Sequence, residues 1–197
     1  MFTTPCPLIL ASASPRRQEF LTQLGLSFHV QPAIIDETPR PGEAPVQFAQ
    51  RLATAKAESM ASDQPQACII GADTVVSLGT TLFGKPADQQ EALTILKNLQ
   101  GKTHLVTTGL AIICRQRDIK ETTTVTSQVT FDTFPDPVLQ AYIETGDPMD
   151  KAGAYGIQGQ GAFLVRSITG SWSNIVGLPV NTLIRTLLRL ELLQATG

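Results

Sequence analysis

The sequence predicts an α/β protein built around a mixed β-sheet. Segments typical of strands and of helices alternate along most of the 197 residues, as they do in α/β folds. In the middle of the chain, residues 103–115 and 119–133 form two long segments rich in β-branched residues, which predicts a β-hairpin. With a helix predicted over 136–145, this hairpin would form a second lobe, and a cleft between two lobes would hold a ligand.

The first predicted elements are a short apolar strand at residues 8–11 and a helix directly after it. Ser14 is a good N-cap residue, and Pro15 suits the first helical position because no N–H has to be paired there. The helix ends at Gly25. The other predicted elements are strand 27–30, loop 36–45, helix 46–60, strand 67–77, a short strand ending at Gly84, a helix from Asp88 to Leu99, an irregular Gly-rich segment 146–161, strand 163–168 and helix 179–193.

The strand over residues 67–77 has the strongest β signal and contains an interruption. Its apolar residues fall into two groups, separated by the tetrapeptide Gly71-Ala72-Asp73-Thr74. A glycine and a carboxylate inside a buried strand predict a β-bulge or the close approach of a ligand. Because ligands of open α/β sheets bind beyond the carboxyl ends of strands, Asp73 is a candidate Mg²⁺ ligand or a base that positions water. The alternative is an aspartate that caps a turn.

Charge and composition argue against several classes of protein. The net charge is −2 and the Lys and Arg residues are scattered, so the sequence has no basic stripe for a nucleic acid. No apolar run approaches the length of a membrane span, and the N-terminus lacks the pattern of a signal peptide. The three cysteines are widely spaced, which argues against a disulfide framework or a zinc site. We expect a cytoplasmic protein with reduced thiols.

A candidate phosphate site lies where the first strand meets the first helix. The small side chains of Ser12 and Ala13 would let an anion approach the backbone. The start of the helix offers unpaired N–H groups and a partial positive charge. Arg16 and Arg17 stand in the first turn, where cations oppose the helix dipole unless an anion binds there. The alternative is an ordinary capped helix with solvated arginines.

Two further candidates come from other parts of the chain. Lys85, fixed between Gly84 and Pro86, can act as a point charge for a phosphate group; the alternative is a lysine in a surface turn. Glu37 lies in the Pro-rich loop and can form a pair of carboxylates with Asp73. Such a pair suits a hard divalent cation, which binds carboxylate and phosphate oxygens.

Two cations and an amide complete the set of candidates. Arg51 and Lys56 belong to the helix over 46–60, where the alternative is a solvated helix face. Gln158 lies in the Gly-rich segment, and its amide can bind the edge of a base because it offers both a donor and an acceptor. His29 and His104 have no partner at metal-ligand spacing and are interpreted as structural.

Several blocks of the sequence, in their order along the chain, resemble those of the Maf family of nucleotide pyrophosphatases. Each block alone is modest, but the whole series, from about residue 8 to residue 193, is specific. The blocks are Leu10-Ala11-Ser12-Ala13-Ser14-Pro15-Arg16-Arg17-Gln18-Glu19, Arg51-Leu52-Ala53 with Lys56-Ala57, Gly71-Ala72-Asp73-Thr74-Val75-Val76, Gly84-Lys85-Pro86, Gly101-Lys102-Thr103-His104, the stretch from Asp150 to Gly159, and the stretch from Gly170 to Pro179.

The resemblance implies an elongated α/β fold related to inosine-triphosphatase-like enzymes, with residues 1–197 as one domain of two lobes. It implies hydrolysis of a nucleoside triphosphate to the monophosphate and pyrophosphate, assisted by Mg²⁺ or Mn²⁺. A homodimer and a link to inhibition of septum formation are also implied. The alternatives are a pyrophosphatase for modified purine nucleotides such as 7-methyl-GTP, and a non-catalytic nucleotide-binding regulator of septum formation.

The resemblance also implies roles for individual residues. Asp73 matches the catalytic base, and Glu37 supports the metal together with Asp73. The residues implied to bind the substrate are Ser12, Arg16, Arg17, Lys56, Thr74, Lys85 and Gln158. The residues typical of the branch that acts on dTTP and UTP are Arg16, Arg17, Thr74 and Gln158. Trp172-Ser173 departs mildly from the pattern, since two tyrosines are common there.

Overall fold

The structure is a computed structural model that describes residues 1–196. Its helices are α1 (Pro15–Gln23), α2 (Pro45–Ala61), α3 (Gln89–Leu99), α4 (Asp136–Glu144), α5 (Trp172–Val176) and α6 (Val180–Arg189). Its strands are β1 (Phe2–Thr3), β2 (Leu8–Leu10), β3 (His29–Val30), β4 (Cys68–Leu78), β5 (Thr81–Phe83), β6 (Thr103–Cys114), β7 (Ile119–Phe131), β8 (Val165–Thr169) and β9 (Gln194–Ala195). Short 3₁₀ turns occupy much of the Gly-rich segment.

The main sheet contains both parallel and antiparallel pairs of strands. In the described part of the chain its order is β3-β2-β4-β6-β7-β8, with β5 beside β4. Strand β2 runs parallel to β3 and β4, and Ile9 lies opposite both His29 and Ile69. Strands β7 and β8 are antiparallel, with Val129 opposite Ile168. The predicted mixed α/β sheet flanked by helices is therefore confirmed.

The chain divides into two compact units. Unit 1 comprises Met1–Asp73, Thr108–Val125 and the chain from Gly177 onward. Unit 2 comprises Thr74–Thr107 and Thr126–Val176, so it includes much of the predicted second lobe. The predicted cleft between two lobes stays a prediction.

Gly71 lets helix α2 lie directly on strand β4 in unit 1. A Cβ atom at Gly71 would come within 2.2 Å of the carbonyl oxygen of Ala53 and 2.9 Å of the backbone nitrogen of Ala57. The strand itself is continuous through this region. The group that approaches Gly71 is therefore a helix backbone, whereas the sequence predicted a bulge or the close approach of a ligand.

A group of aromatic rings lies buried in unit 2. His104, Phe131 and Tyr155 meet edge to face, with ring centroids 4.7 to 5.4 Å apart. The Nε2 atom of His104 lies 2.9 Å from the Tyr155 hydroxyl. Burial lowers the pKa of His104 to about 4, so the ring is neutral at pH 7. These contacts agree with the structural interpretation of His104.

Several predicted boundaries differ from the structure. The last helix ends at Arg189, earlier than predicted, because Glu191 has a φ of 55° and Leu192 donates its N–H back to the Leu187 carbonyl oxygen. Strand β8 begins at Val165 because a 3₁₀ turn covers the residues before it. Helix α5 and the β1–β9 pair were not predicted.

Two other expectations concern the cap of α1 and the cysteines. Ser14 occupies the N-cap position, but its side chain makes no capping hydrogen bond. Cys6, Cys68 and Cys114 are free thiols, in agreement with the prediction. None of the described helices has both the length and the apolar character needed to cross a membrane. The cytoplasmic location stays a prediction.

Candidate active site

One ammonium group lies between two carboxylates in unit 1. Lys56, in helix α2, places its Nζ atom 2.6 Å from Asp73 Oδ1 and 2.7 Å from Glu37 Oε1. The side chains of Lys56 and Asp73 are 11% and 12% exposed, whereas that of Glu37 is 56% exposed. A single buried cation therefore holds one buried and one accessible carboxylate at the same point.

The packing of α2 on β4 explains why Lys56 meets Asp73. Gly71 faces the backbone of α2 at Ala53 and Ala57. Alternate residues of a strand face the same side, so Asp73, two residues after Gly71, also faces the helix. Lys56 precedes Ala57 in the helix, and its long side chain reaches the carboxylate from there. Asp73 is therefore a buried carboxylate with a charged partner.

Burial raises the pKa of Asp73. The loss of solvent raises the pKa of the Asp73 carboxyl above its ordinary value, and the charge of Lys56 opposes this rise. The charge of Arg17 also opposes the rise, whereas the nearby Glu37 carboxylate adds to it. A carboxylate with a raised pKa accepts a proton more readily than an exposed aspartate does. The arrangement therefore suits a general base.

Ser12 and Arg17 bind each other beside the start of α1. The Ser12 hydroxyl oxygen accepts hydrogen bonds from Arg17 NH1 at 2.9 Å and from the Ser14 N–H at 3.2 Å. Arg17 also donates from Nε to the Gly177 carbonyl oxygen at 2.8 Å. Burial lowers the pKa of the Arg17 guanidinium, and the charge of Asp73 opposes that change. The structure thus gives Arg17 an internal bonding role that sequence reasoning did not anticipate.

Arg16 and Arg51 use their charges differently. Arg16 is half-buried, and within residues 1–196 its guanidinium forms no hydrogen bond or ion pair. Arg51, by contrast, forms two hydrogen bonds to Glu43, at 2.6 and 2.7 Å. Arg16 is therefore available to bind an anion, while Arg51 is already neutralised by a carboxylate. Sequence reasoning missed the pairing of Glu43 because its partner lies eight residues away, inside helix α2.

The remaining predicted residues lie in unit 2. Lys85 is exposed, and Thr74 and Gln158 are half-buried. The Gly153 N–H donates to the Gly84 carbonyl oxygen at 3.0 Å. This hydrogen bond joins the Gly-rich segment that carries Gln158 to the turn that carries Lys85. The structure therefore brings these two segments of unit 2 together.

Tyr142 and Lys151 anchor the same Gly-rich segment. The Tyr142 hydroxyl donates to Asp147 Oδ2 at 2.8 Å and accepts from the Gly156 N–H at 3.2 Å. Lys151 places Nζ 2.7 Å from Asp150 Oδ1 and 3.2 Å from Asp147 Oδ1. Sequence reasoning missed both anchors. Only the position of Tyr142 on the predicted helix over 136–145 could have suggested a buried contact.

The two carboxylates of unit 1 fit a divalent cation that binds together with a phosphate group. Mg²⁺ sites of this kind use one or two carboxylates plus phosphate oxygens. Glu37 and Asp73 already share one positive charge, that of Lys56. Among residues 1–196, no cluster of three or more His, Cys, Asp or Glu side chains could hold a metal ion. The donor set thus suits a metal that arrives with an anionic ligand, rather than a structural metal.

Comparison with known proteins gives the family. The Maf-like protein family matches residues 7–190 of the chain. The chain belongs to this family. It is 46% identical to the dTTP/UTP pyrophosphatase of Desulfotalea psychrophila over 188 residues, which cover 95% of this chain and 96% of the relative. It is 47% identical to that of Nitratidesulfovibrio vulgaris (95% and 90% covered) and 48% identical to that of Myxococcus xanthus (92% and 91% covered).

The Maf-like region contains every residue predicted for the site. Within it, the structure brings Glu37, Lys56 and Asp73 together and bonds Ser12 to Arg17. Part of the Gly170 to Pro179 block has a structural role in this family member. The amide nitrogen of Asn174 donates to the Val106 carbonyl oxygen and to Ser127 Oγ, at 3.0 and 2.9 Å.

Proposed function

We propose that this Maf-like protein hydrolyses dTTP and UTP to the nucleoside monophosphate and pyrophosphate. Three relatives that are 46 to 48% identical, over at least 92% of this chain, carry the name dTTP/UTP pyrophosphatase. The structural observation that carries the proposal is the buried Asp73 carboxylate, 2.6 Å from the Lys56 ammonium group. A base held beside a fixed positive charge is what hydrolysis of a phosphoanhydride requires.

In the proposed reaction, a water molecule attacks the α-phosphorus of the nucleotide. A bond forms from the water oxygen to the α-phosphorus, and the bond from that phosphorus to the bridging oxygen breaks. Asp73 accepts a proton from the attacking water. Pyrophosphate leaves with the electron pair of the broken bond. Lys56 holds the Asp73 carboxylate in place during the proton transfer.

The substrate is strongly anionic, and cations of this chain are proposed to bind it. Arg16 has no bonded carboxylate within the described residues, and Lys85 is exposed. We assign both side chains to the phosphate groups, where charge-assisted hydrogen bonds are strongest. The Ser12 hydroxyl accepts from Arg17 and keeps its own hydrogen free to donate to a phosphate oxygen.

Glu37 and Asp73 are proposed to hold Mg²⁺ or Mn²⁺ together with the substrate. When bound, the metal neutralises negative charge on the phosphate oxygens. Glu37 is more than half exposed, so its carboxylate can rotate toward an arriving cation. Lys56 stays beside Asp73 and supplies a second positive charge. The Glu37–Lys56 contact is accordingly weaker than the Asp73–Lys56 contact, since it is more accessible to solvent.

Recognition of the pyrimidine base is assigned to Gln158, with Thr74 and Arg17 in support. An amide offers both a donor and an acceptor to the base edge. The segment that carries Gln158 is fixed by the Gly153 N–H bond to the Gly84 carbonyl oxygen. Arg17 acts indirectly in this proposal, since Ser12 and the Gly177 carbonyl oxygen bind its guanidinium.

We also propose that the chain folds as one domain and that two copies form a homodimer, as the resemblance implies. A single cooperative unfolding transition, followed by two probes, would support the one-domain assignment. Sedimentation velocity at micromolar concentration would measure the oligomeric state, and a monomer throughout would overturn the dimer.

Product analysis of a panel of nucleotides tests the proposed function. Wild-type protein with Mg²⁺ is expected to release pyrophosphate and the monophosphate from dTTP and UTP. In water enriched in ¹⁸O, the heavy oxygen is expected in the monophosphate, because the water attacks the α-phosphorus. Label in the pyrophosphate would overturn the proposed point of attack.

The panel also separates the alternatives. Release only from 7-methyl-GTP or other modified purine nucleotides would keep the reaction but overturn the assignment of the base. Saturable nucleotide binding without any pyrophosphate would overturn the enzymatic function in favour of a non-catalytic regulator. Preparations of the Asp73→Asn variant control for contaminating pyrophosphatase, because they pass through the same purification.

A further inference from the structure

We propose that Arg51 and Glu43 are positioning residues that hold the loop over residues 31–44 on helix α2 and thereby place Glu37 beside Asp73. We call the Arg51–Glu43 pair the loop clasp. The inference rests on the proposed function, because it gives Glu37 a role in the reaction. Neither residue of the clasp contacts Lys56 or Asp73 through a hydrogen bond or ion pair within residues 1–196.

The clasp has the geometry of a strong, directional contact. Arg51 donates from Nε to Glu43 Oε1 at 2.6 Å and from NH2 to Glu43 Oε2 at 2.7 Å. Such a two-point contact fixes the orientation of a carboxylate as well as its distance. The Arg40 N–H also donates to Glu43 Oε2, at 3.1 Å. The guanidinium lies 5.3 Å from the ring centroid of Phe48, one turn earlier on the helix.

The clasp reaches the residue next to Glu37. Arg51 NH2 also donates to the Thr38 carbonyl oxygen at 3.1 Å. The Thr38 N–H in turn donates to Asp36 Oδ1 at 2.9 Å. The two chain neighbours of Glu37 are therefore both part of a bonded turn, and Arg51 ties that turn to α2. Lys56 belongs to the same helix. Helix α2 therefore holds Lys56 directly and holds Glu37 through Arg51.

The loop has few other means of fixing Glu37. No helix or strand is present in residues 31–44, and most of these side chains are exposed. Ile34, for instance, is 98% exposed, so the loop has little apolar packing at that point. Ala33 packs against the core, but the segment around Glu37 has no regular structure and is mostly exposed, and such a segment opens at low free-energy cost. The clasp supplies the restraint that packing does not.

The charges of the clasp support the same conclusion. The hydrogen bond from Arg51 lowers the pKa of Glu43 from 4.5 to about 2, so the pair stays ionised through the neutral range. The same bond raises the pKa of the Arg51 guanidinium. Arg51 is therefore committed to Glu43 and is not a spare cation for the substrate.

The first part of the test measures the loop directly by hydrogen exchange. The variant Arg51→Lys keeps the positive charge but cannot form the two-point contact. We expect amide exchange within residues 36–43 to become at least about tenfold faster, while exchange in the middle of α2 stays within about twofold of wild type. Arg189→Lys is the matched control, because Arg189 pairs with Glu121 at an exposed site. Unchanged exchange in the loop of Arg51→Lys would overturn the proposal.

The second part uses kinetics and a double-mutant cycle. We expect Arg51→Lys to lower kcat for dTTP several-fold and to raise the Mg²⁺ concentration that gives half the maximal rate. In a Glu37→Gln background the same change should have no further effect, because the residue that it positions is already disabled. A purely structural role for Arg51 predicts the same loss in both backgrounds, which would overturn the proposal.

The two parts keep failure of the clasp distinct from failure of the proposed function. If wild-type protein releases no pyrophosphate from any nucleotide, the proposed function fails, and hydrogen exchange alone decides whether the clasp holds the loop. If wild type is active and Arg51→Lys has wild-type exchange and kinetics, the proposed function stands and the clasp is overturned.

Discussion

The two units of this protein present their polar side chains in different ways. In unit 1, most of the residues proposed to act are bonded to one another, as Lys56 is to Asp73 and Ser12 is to Arg17, and Arg16 is the exception. In unit 2, Lys85 is exposed and Gln158 sits on a segment that other groups hold, such as Tyr142 and the Gly84 carbonyl oxygen. Most site residues of unit 1 thus also act as structural contacts, while Lys85 and Gln158 of unit 2 lie on segments that other groups hold in place.

The difference between the units predicts where stability and activity should be lost together. Replacing a bonded, buried residue of unit 1 should reduce both stability and activity, because the partner is left unsatisfied. Replacing an exposed site residue of unit 2 should reduce activity alone. Substitutions in both units and a pH titration test that contrast, beginning with the largest expected effect.

Lys56→Met is expected to have the largest combined effect. It leaves the buried Asp73 carboxylate without its partner, which typically costs about 3–5 kcal/mol of unfolding free energy. Activity should fall by at least about 100-fold, since Asp73 loses its fixed orientation. Lys120→Met serves as the control, because Lys120 pairs with Glu58 at an exposed site and should cost less than about 1 kcal/mol. Urea denaturation of both variants would measure the contrast.

Gly71→Ala is expected to destabilise unit 1 by about 2–3 kcal/mol. The new methyl group would meet the backbone of α2 at 2.2 Å, and a helix backbone cannot move away as a flexible side chain can. Gly84→Ala is the matched change in unit 2, where a Cβ atom has open space, and should stay within about 1 kcal/mol of wild type. Equal denaturation midpoints for the two variants would contradict the close packing of α2 on β4.

Lys85→Met is expected to change substrate binding and leave stability unchanged. Its KM for dTTP should rise about tenfold, which corresponds to about 1.4 kcal/mol. The unfolding free energy should stay within about 0.5 kcal/mol of wild type, as for most exposed positions. Lys97→Met, at another exposed lysine of unit 2, is expected to leave KM unchanged. A large loss of stability in Lys85→Met would break the contrast between the units.

The smallest expected effect is a dependence of stability on pH through Glu43. Its pKa falls from 4.5 to about 2 on folding, so the stabilisation from Glu43 is fully present above about pH 5. It is lost as the pH falls toward 2 and the folded-state carboxylate becomes protonated. The melting temperatures of wild type and Glu43→Gln should therefore differ at pH 7 and converge at low pH. A difference that stays constant from pH 7 to pH 3 would contradict this.

Much of the fold can be predicted from the sequence because the signals for individual helices, strands and turns are local. The hairpin over 103–115 and 119–133, the Asp88 cap of α3 and the turn at Gly146 depend on residue type and short spacing, and the structure contains all three. The end of the last helix did not follow. Leu192 and Leu193 continue the apolar pattern, but the chain has already turned at Glu191 to bury them.

The sequence predicts which residues belong to the candidate site better than it predicts how they are arranged. The blocks contain Asp73 and Lys56, and the Pro-rich loop contains Glu37, yet no spacing rule indicates that one ammonium group joins the two carboxylates. That contact depends on the close packing at Gly71, which is a property of the folded chain. The internal role of Arg17 was missed for a similar reason, since its partner Gly177 lies 160 residues away.

Asp73 is proposed to act in the chemical step, and the variant Asp73→Asn is the decisive test of that role. The measurement is kcat for pyrophosphate release from dTTP, taken beside the dTTP dissociation constant and beside the exposed control Asp63→Asn. We predict a fall in kcat of at least about 100-fold for Asp73→Asn, with dTTP still bound and the fold retained, and a wild-type rate for Asp63→Asn. A rate near that of wild type in Asp73→Asn would contradict the role of Asp73 as the base.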